Sequence, residues 1–303
     1  MTSFMLTGTT ASKISSQLTQ LRHQMGTPAV GMVLTLVVVA DESNQYDAVR
    51  AATDAAREHP SRILVVIPRD PKEPNRLDAE IRFGESTPGE VILLRLYGEL
   101  TEHADSVVGP LLLTDTPVVA WWPGEAPEMP AKDAIGVLAQ RRIVDARSAA
   151  DSVKEIVGRL KGYVPGDTDL AWTRLTTWRS LLAAAFDQPV GKVKKGSVEA
   201  VAGHASASLL AAWLSDRLGA PVKVTESEGP GLTAVKLSTA EGDITITRGD
   251  GRLATLSRPG QPDRQVALTR RPTSELLAEE MRRLDPDEIY EATLRRLSRG
   301  HRS

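Results

Sequence analysis

Cysteine is absent from this chain of 303 residues, which excludes disulfide bonds, thiol catalysis, thiolate metal sites and a thiol redox switch within it. No apolar run approaches the length of a membrane span. The first residues are polar and have no charged stretch followed by an apolar one, so we expect no signal peptide and a cytoplasmic protein. A formal net charge of −2 gives no overall preference for nucleic acid or for an anionic membrane.

The common catalytic and nucleotide-binding signatures are missing as well. Residues 33–39 predict the first buried strand, and the residues that follow it, 40–44, contain no glycine. The glycine-rich dinucleotide fingerprint is therefore absent. The chain also has no Walker phosphate loop, no nucleophile elbow and no His-Glu-x-x-His pair. We therefore expect no cofactor, and we expect an interaction protein rather than an enzyme.

The hydrophobic pattern of the first half predicts an α/β domain with a mixed sheet flanked by helices. Buried strands at 33–39 and 61–67 enclose a helix at 46–58, whose inner side is predicted to carry Tyr46, Val49, Ala52 and Ala56. Such a unit has parallel strands with a right-handed crossover. Residues 77–84 alternate between apolar and polar, which is typical of a half-exposed strand, and with 91–97 they predict a hairpin. Further helices are expected at 11–25, 98–113 and 151–161, whereas residues 1–10 are expected to fray.

The second half predicts an α+β domain with an antiparallel meander covered by helices. Helices are expected at 170–186 and 205–218, then five short strands between 222 and 268, and then two closing helices. The best boundary lies at 162–168, where Pro165, Gly166 and Asp167 interrupt the pattern. This gives an α/β domain at 1–163 and an α+β domain at 168–303, which we expect to fold independently.

A short apolar strand at 118–121 carries two adjacent tryptophans, Trp121 and Trp122, and ends at Pro123. Adjacent residues of a strand point to opposite faces of the sheet. One indole can therefore fill the core while the other lies near the carboxyl end of the strand, where open α/β sheets bind ligands and partners. The alternative is that both belong to the core, since tryptophan is highly buried on average.

Charged groups suggest only weak alternatives. Glu102, His103 and Asp105 could bind metal or act as acid and base, but an acidic first helical turn exposed to solvent explains them more simply. The lysines at 192–195 could hold a phosphate, although a solvated loop is the simpler interpretation. His204 precedes a helix, and we expect a capping role for it.

Six sequence stretches in this order resemble the bacterial glucose-6-phosphate dehydrogenase assembly protein family. The resemblance runs from about residue 30 to the C-terminus. The stretches are LTLVVV at 34–39, AAREHPSR at 55–62, RLYGEL at 95–100, HADSVV at 103–108, PVVAWWPG at 117–124 and QRRI at 140–143.

This resemblance implies a non-catalytic partner that promotes assembly or allosteric activation of glucose-6-phosphate dehydrogenase in the pentose phosphate pathway. Family members of photosynthetic bacteria are associated with thiol control of that enzyme, which cannot reside in a chain without cysteine. Arg95, Tyr97, Trp121 and Trp122 are of the residue types enriched at interface hot spots, and with His103 they are the predicted partner contacts. For Arg95 and Tyr97, anchoring of the sheet edge is an equal alternative.

Two other functions remain open at this stage. The chain could be a small-molecule sensor that holds a sugar phosphate or a nucleotide near Trp122 and His103. It could also be an unrecognised enzyme that uses Glu99, His103 and Asp105. An assembly factor requires an exposed apolar or aromatic patch, whereas a sensor requires a concave site with converging cations.

Overall fold

The computed structural model describes residues 2–25, 31–83, 89–187 and 190–300. The chain divides into two compact units that interleave along the sequence. The first unit comprises Met1–Asp145, Gly162–Thr168 and Thr273–Pro286, and the second comprises Ala146–Lys161, Asp169–Pro272 and Asp287–Ser303. This pattern differs from the contiguous domains 1–163 and 168–303 at residues 146–161 and 273–286. Independent folding of those two domains stays a prediction.

The secondary structure confirms the predicted fold class, with an α/β region followed by a sheet with a meander and helices. The strands in the described residues are β1 (Thr2–Leu6), β2 (Leu34–Val39), β3 (Ser61–Pro68), β4 (Arg76–Phe83), β5 (Gly89–Tyr97), β6 (Val118–Trp121), β7 (Arg141–Val144), β8 (Asp167–Asp169), β9 (Lys195–Ala200), β10 (Val222–Glu226), β11 (Leu232–Ser238), β12 (Asp243–Thr247), β13 (Leu253–Arg258) and β14 (Gln261–Ala267). The α-helices are α1 (Ala11–Met25), α2 (Gln45–Ala55), α3 (Ala104–Val108), α4 (Ser152–Gly158), α5 (Leu170–Thr173), α6 (Thr176–Ala184), α7 (Ala205–Leu218), α8 (Thr273–Arg282) and α9 (Glu288–Gly300). No helix in these ranges is long and apolar enough to cross a membrane.

The sheet that begins in the first unit has the strand order β1-β4-β5-β3-β2-β6-β7-β8 among the described residues. From β5 to β7 neighbouring strands are parallel, whereas β4 pairs antiparallel with both β1 and β5. The strand-helix-strand unit β2-α2-β3 is therefore parallel, as predicted. The predicted turn at 85–90 of the β4–β5 hairpin lies largely outside the described residues, which resume at Gly89.

Alternating residues of the central strands contribute to one apolar core of the first unit. On β6 and just beyond it, Val118, Ala120 and Trp122 belong to this core, together with apolar residues of α1 and α3. On β4, the residues at 77, 79, 81 and 83 are buried and those between them are only partly so, as the alternating pattern predicted. The period of two therefore assigns each side chain to its face.

Helix α8 belongs to the first unit, where it packs against α2. Glu280 on this helix forms a buried ion pair with Arg141 at the start of β7, and their side chains are only 6% and 4% exposed. The Arg141 Nε donates to the Glu280 carboxylate at 3.1 Å, and its Nη1 donates to the backbone oxygen of Asp285 at 2.9 Å. A second ion pair, between Arg282 and Glu58 at 3.0 Å, is exposed.

Several local predictions are wrong. Residues 2–6 form the edge strand β1 instead of fraying. The predicted helix at 98–113 is broken into a 3-10 turn, the short helix α3 and a second 3-10 turn that contains Pro110. The break begins at Gly98, whose φ is +66° and where a Cβ would lie 2.7 Å from the backbone oxygen of Glu73. The predicted helix at 170–186 is likewise divided into α5 and α6.

The sheet of the second unit has the order β10-β9-β11-β12-β13-β14 within the described residues. Strands β11 to β14 form the predicted antiparallel meander. Strand β9, which falls at the end of a predicted loop, pairs antiparallel with β11 and parallel with β10. Helix α7 packs on β9 and β10 and also on α9, and it ends as predicted at Gly219, which has φ +60°.

Candidate functional site

The double-tryptophan strand lies inside the first unit. Trp121 and Trp122 are each 2% exposed, and only Trp122 belongs to the core described above. The amide of Trp122 donates to the oxygen of Ile143 at 3.0 Å, which extends the pairing of β6 with β7. This burial favours the alternative that both residues are core, because neither indole offers contact area at the surface. Their partner-contact role stays a prediction.

The other predicted contacts lie near the carboxyl end of β5. Arg95 and Tyr97 are among its last residues, and His103 follows it. The Nη2 of Arg95 lies 3.3 Å from the Glu80 carboxylate, and Tyr97 is buried with the Arg76 guanidinium carbon 3.8 Å from its ring centroid. His103 is exposed at the start of α3. These contacts favour the sheet-anchoring interpretation for Arg95 and Tyr97, and they leave His103 open to a partner.

The predicted acid-base group does not form a metal site. The Glu99 carboxylate accepts a hydrogen bond from the side-chain amide of Asn75 at 3.2 Å, and Asp105 is an exposed residue of the first turn of α3. Within the described ranges, no three His, Asp or Glu side chains lie close enough to hold a metal ion.

The loop between β2 and α2 is closed by its own carboxylate. Asp41 accepts hydrogen bonds from the amides of Ser43 at 2.7 Å and Asn44 at 2.9 Å, and from the Ser43 hydroxyl at 2.5 Å. The Ser43 hydroxyl and these amides lower the pKa of Asp41 below its ordinary value, against a smaller opposing effect of burial. A negative charge therefore occupies the two amides that lead into α2, close to where a bound dinucleotide would place its pyrophosphate.

Tyr46, in the first turn of α2, is the aromatic residue that the described surface exposes most, at 74%. The predicted pattern placed it on the inner face of the helix together with Val49 and Ala52. In the structure that face is formed by Gln45, Val49 and Ala52 with two further alanines. Tyr46 lies about 100° round the helix from Gln45 and points outward.

A cavity of about 340 Å³ opens within the second unit, at one end of its sheet. Four chain segments form it at this end. Ala200 at the end of β9 pairs with Leu232 at the start of β11, Arg248 follows β12 directly, and Arg270 follows β14. The N-terminal end of α7 and the first turn of α6 complete the wall. The volume lies within the range of small-molecule sites, about 300–1,000 Å³.

The described residues that line this cavity include cationic side chains and no Asp or Glu. Serine and threonine hydroxyls, the Trp178 ring and leucine side chains make up much of the remaining wall. The cationic and imidazole side chains of the wall are Arg147, Arg174, His204, Arg248, Arg270 and Arg271. Within this group, Arg248 and Arg270 donate hydrogen bonds to backbone oxygens, Arg270 to that of Pro230.

Arg248 is the most deeply buried of these cations, at 6% exposure. Its Nη1 and Nη2 donate to the backbone oxygens of Leu268 and Leu232, each at 2.9 Å, and its Nε has no acceptor in the described part of the chain. Burial and the neighbouring Arg270 lower its pKa, against the opposing charge of Asp250, but a guanidinium stays protonated in a protein. Arg248 is thus a buried positive charge held by two neutral carbonyls and by the Trp178 ring, whose centroid lies 5.0 Å from the guanidinium carbon.

His204 is half-buried and caps α7, as predicted. Its Nδ1 accepts a hydrogen bond from the amide of Ala207 at 3.2 Å. Burial, followed by the charges of the surrounding arginines, lowers the pKa of His204 below its ordinary value. The ring is then neutral at neutral pH and, because Nδ1 accepts, its proton is on Nε2. His204 therefore presents a hydrogen-bond donor next to the guanidinium groups.

The sequence analysis missed this site. It considered His204 only as a cap. Arg147, Arg174 and Arg248 lie far apart along the chain, and each alone is an ordinary surface residue type. The available signal was positional, since Arg248 and Arg270 each come shortly after a predicted strand of one meander.

Two protein-family models together match most of the chain. The first is described as the N-terminal domain of a glucose-6-phosphate dehydrogenase subunit, and it matches residues 52–161. The second is described as the C-terminal domain of the same kind of subunit, and it matches residues 165–294.

One similar protein, from Synechocystis sp., is named as the OxPP cycle protein OpcA. It is 30% identical over 139 residues, which cover 43% of this chain and 29% of that protein. The chain therefore spans less than a third of the length of this relative.

Solved structures of two oxidoreductases are also similar. The 3-ketoreductase KijD10 from Actinomadura kijaniata, in complex with NADP and TDP-benzene, is 10% identical with a TM-score of 0.49, over 88% of this chain and 95% of that one. An oxidoreductase from Sinorhizobium meliloti is 11% identical with a TM-score of 0.41, over 86% and 85%. At these values nothing follows for the fold or the activity of this chain.

Proposed function

The chain belongs to the family of glucose-6-phosphate dehydrogenase subunits, and from this membership we propose that it is a non-catalytic partner that promotes assembly or activation of that dehydrogenase. The observation that carries the proposal is the pair of family matches, at residues 52–161 and 165–294. The name of the Synechocystis relative agrees with a role in the same pathway. We propose the cytoplasm as its location, where it would meet a metabolic enzyme.

The closed loop after β2 supports a partner role over dehydrogenase chemistry. In a dinucleotide-binding unit, the first turn leaves backbone amides open for the pyrophosphate. Here Asp41 accepts hydrogen bonds from the amides of Ser43 and Asn44, and its lowered pKa keeps it charged. A pyrophosphate would have to displace this carboxylate and overcome its negative charge.

The carboxyl edge of the parallel strands in the first unit is the contact surface that we propose. Tyr46 follows β2 and His103 follows β5, and with β3 between them these strands end at the same edge. Both residues are exposed. Tyrosine provides a large, partly apolar contact area at low conformational cost, which is why it is frequent among interface hot spots. Tyr46 thus takes the anchor role that was predicted for the tryptophans.

Co-purification with the dehydrogenase, and its activity with and without the chain, test this proposal. We expect Tyr46→Ala to keep the parent melting temperature and to weaken binding by about 2 kcal/mol or more, which is roughly thirtyfold. Leu253→Ala is a matched control, because Leu253 is also a large exposed apolar residue but lies in the second unit. Absence of any complex with the dehydrogenase would refute the function. Equal binding by the two variants would refute only the contact surface.

A further inference from the structure

We propose that the cavity of the second unit binds a small phosphorylated anion, with Arg248, Arg270 and His204 around the phosphate. The ligand class is a phosphomonoester with a compact body of about the size of a sugar. The proposal concerns the chain by itself and does not depend on a dehydrogenase partner.

The first observation behind the proposal is the buried charge of Arg248. A buried cation is normally paired with a carboxylate, because desolvation of an unpaired charge is costly. Arg248 has two neutral carbonyls as acceptors, and no carboxylate lines the cavity within the described residues. Two carbonyls use only two of the five N–H donors of a guanidinium. An anion in the cavity would supply both the missing negative charge and further acceptors.

The second step is the convergence of two other donors near Gly231. A Cβ placed on Gly231 would lie 3.2 Å from the Nη2 of Arg270 and 3.4 Å from the Nε2 of His204. Both nitrogens therefore lie beside Gly231, whose φ of +68° and missing side chain leave room there. The Arg270 Nη2 already donates to the backbone oxygen of Pro230 but carries a second N–H, and the Nε2 of His204 carries its proton, so both nitrogens can donate to a shared anion.

The end of α7 adds a third contribution in the same place. Ala205 and Ser206, its first two residues, line the cavity. The first amides of an α-helix have no acceptor within the helix, and the helix dipole makes this end favourable for an anion. His204 caps the amide of Ala207, the third residue of the helix, within the same first turn. The helix end, His204 and the arginines thus favour the same negative charge.

The size and the remaining wall define the ligand class. A guanidinium donates two parallel N–H groups to two oxygens of a phosphate. A phosphate then has a third oxygen for another donor, whereas a single carboxylate has only two oxygens. Trp178 and Leu175 provide apolar wall, and Thr177 and Thr269 provide hydroxyls, so a ring with hydroxyl groups can pack there. A volume of about 340 Å³ is near the lower end for ligand sites, which favours a compact body.

Isothermal titration calorimetry on the full chain tests this inference with four probes. We expect saturable binding of inorganic phosphate and tighter binding of glucose 6-phosphate, with no heat from glucose. Citrate, which has carboxylates only, should bind more weakly than glucose 6-phosphate, because each carboxylate offers two acceptor oxygens where a phosphate offers three. Binding should weaken as salt is added, because screening reduces attraction between charges.

Variants of the wall supply the controls. Arg270→Ala and His204→Asn should each weaken glucose 6-phosphate binding, by about tenfold for the arginine. Asn is itself a good N-cap, so His204→Asn keeps the helix capped. Arg264→Ala removes an exposed arginine of β14 outside the cavity and should change binding by less than about twofold. Binding by Arg248→Lys is compared with the parent only if the two melting temperatures match. The reason is that the Arg248 side chain also donates to the backbone oxygens of Leu232 and Leu268.

Three results would overturn the inference. The first is the absence of saturable binding for both inorganic phosphate and glucose 6-phosphate. The second is citrate binding as tight as that of glucose 6-phosphate. The third is phosphate binding that neither Arg270→Ala nor His204→Asn weakens. A chain that binds the phosphates but fails to bind the dehydrogenase would refute the proposed function and leave this inference standing.

Discussion

Replacing Glu280 with Leu should destabilise the first unit by about 3–5 kcal/mol, because it leaves Arg141 as an uncompensated buried charge. The two side chains are 6% and 4% exposed, so water cannot replace the lost carboxylate. The carbonyl of Asp285, at 2.9 Å from Nη1, remains as an acceptor but carries no charge. The penalty arises from desolvation of the guanidinium more than from the loss of its two hydrogen bonds to Glu280.

The same helix provides the control. Arg282 of α8 pairs with Glu58 at 3.0 Å, but these side chains are 66% and 51% exposed. Exposed ion pairs contribute about 0–1 kcal/mol, so Glu58→Gln should have little effect. The double variant Arg141→Met with Glu280→Leu removes both buried charges. It should recover most of the lost stability, because a buried ion pair is often replaceable by apolar residues of similar volume.

Urea unfolding followed by far-ultraviolet circular dichroism measures these four proteins. The reasoning requires a large loss for Glu280→Leu, a small one for Glu58→Gln and recovery in the double variant. If Glu280→Leu lowers stability no more than Glu58→Gln, the buried pair does not hold α8 in the unit. If the double variant is as unstable as the single one, packing around α8 matters and the charge does not.

Four more measurements address the core, the pH dependence, the closed loop and the boundary. Trp122→Ala should cost about 3–5 kcal/mol of folding, measured by urea unfolding, and a variant that folds like the parent yet fails to stimulate the dehydrogenase would restore its contact role. The pKa of His204 is lowered in the folded chain, so below the ordinary histidine pKa of 6.5 the unfolded chain binds more protons at this residue than the folded chain does. The free energy of unfolding of the parent should therefore decrease as the pH falls below 6.5, and it should decrease less in His204→Asn. Calorimetry should detect no micromolar NADP binding, because Asp41 occupies the amides at the start of α2. Limited proteolysis at Gly162–Thr168, the predicted boundary, should be faster in Arg142→Ala, because the Arg142 side chain contacts Asp167 and the oxygen of Pro165.

The fold class was accessible from the sequence because its signals are local. The alternation along β4 and the caps of α7 at His204 and Gly219 depend only on neighbouring residues, and both predictions are confirmed. The edge strand β1 was missed because its pairing partner, β4, lies some 75 residues further along the chain. A five-residue segment of two polar and three apolar residues, TSFML, carries no local mark of such a partner.

The candidate sites were less accessible for two different reasons. Tyr46 was assigned to the wrong side of α2 because a shift of one residue rotates a helix face by about 100°. The cationic cavity is assembled from residues between 147 and 271, brought together by the meander and α7. Spacing alone does not bring Arg248 and Arg270 together, but the antiparallel order β12-β13-β14 places the ends of β12 and β14 at the same edge of the sheet.

The interleaving of the two units has a consequence for biosynthesis. A ribosome releases the chain from its N-terminus, so β2 to β7 emerge long before α8. Almost the whole of the second unit is translated before residues Thr273–Pro286, which complete the first. During that interval Arg141 lacks Glu280, and the nascent first unit holds an unpaired cation where the helix will later dock. A premature stop codon near residue 270 would therefore damage the N-terminal sheet, although every strand that belongs wholly to it had been made.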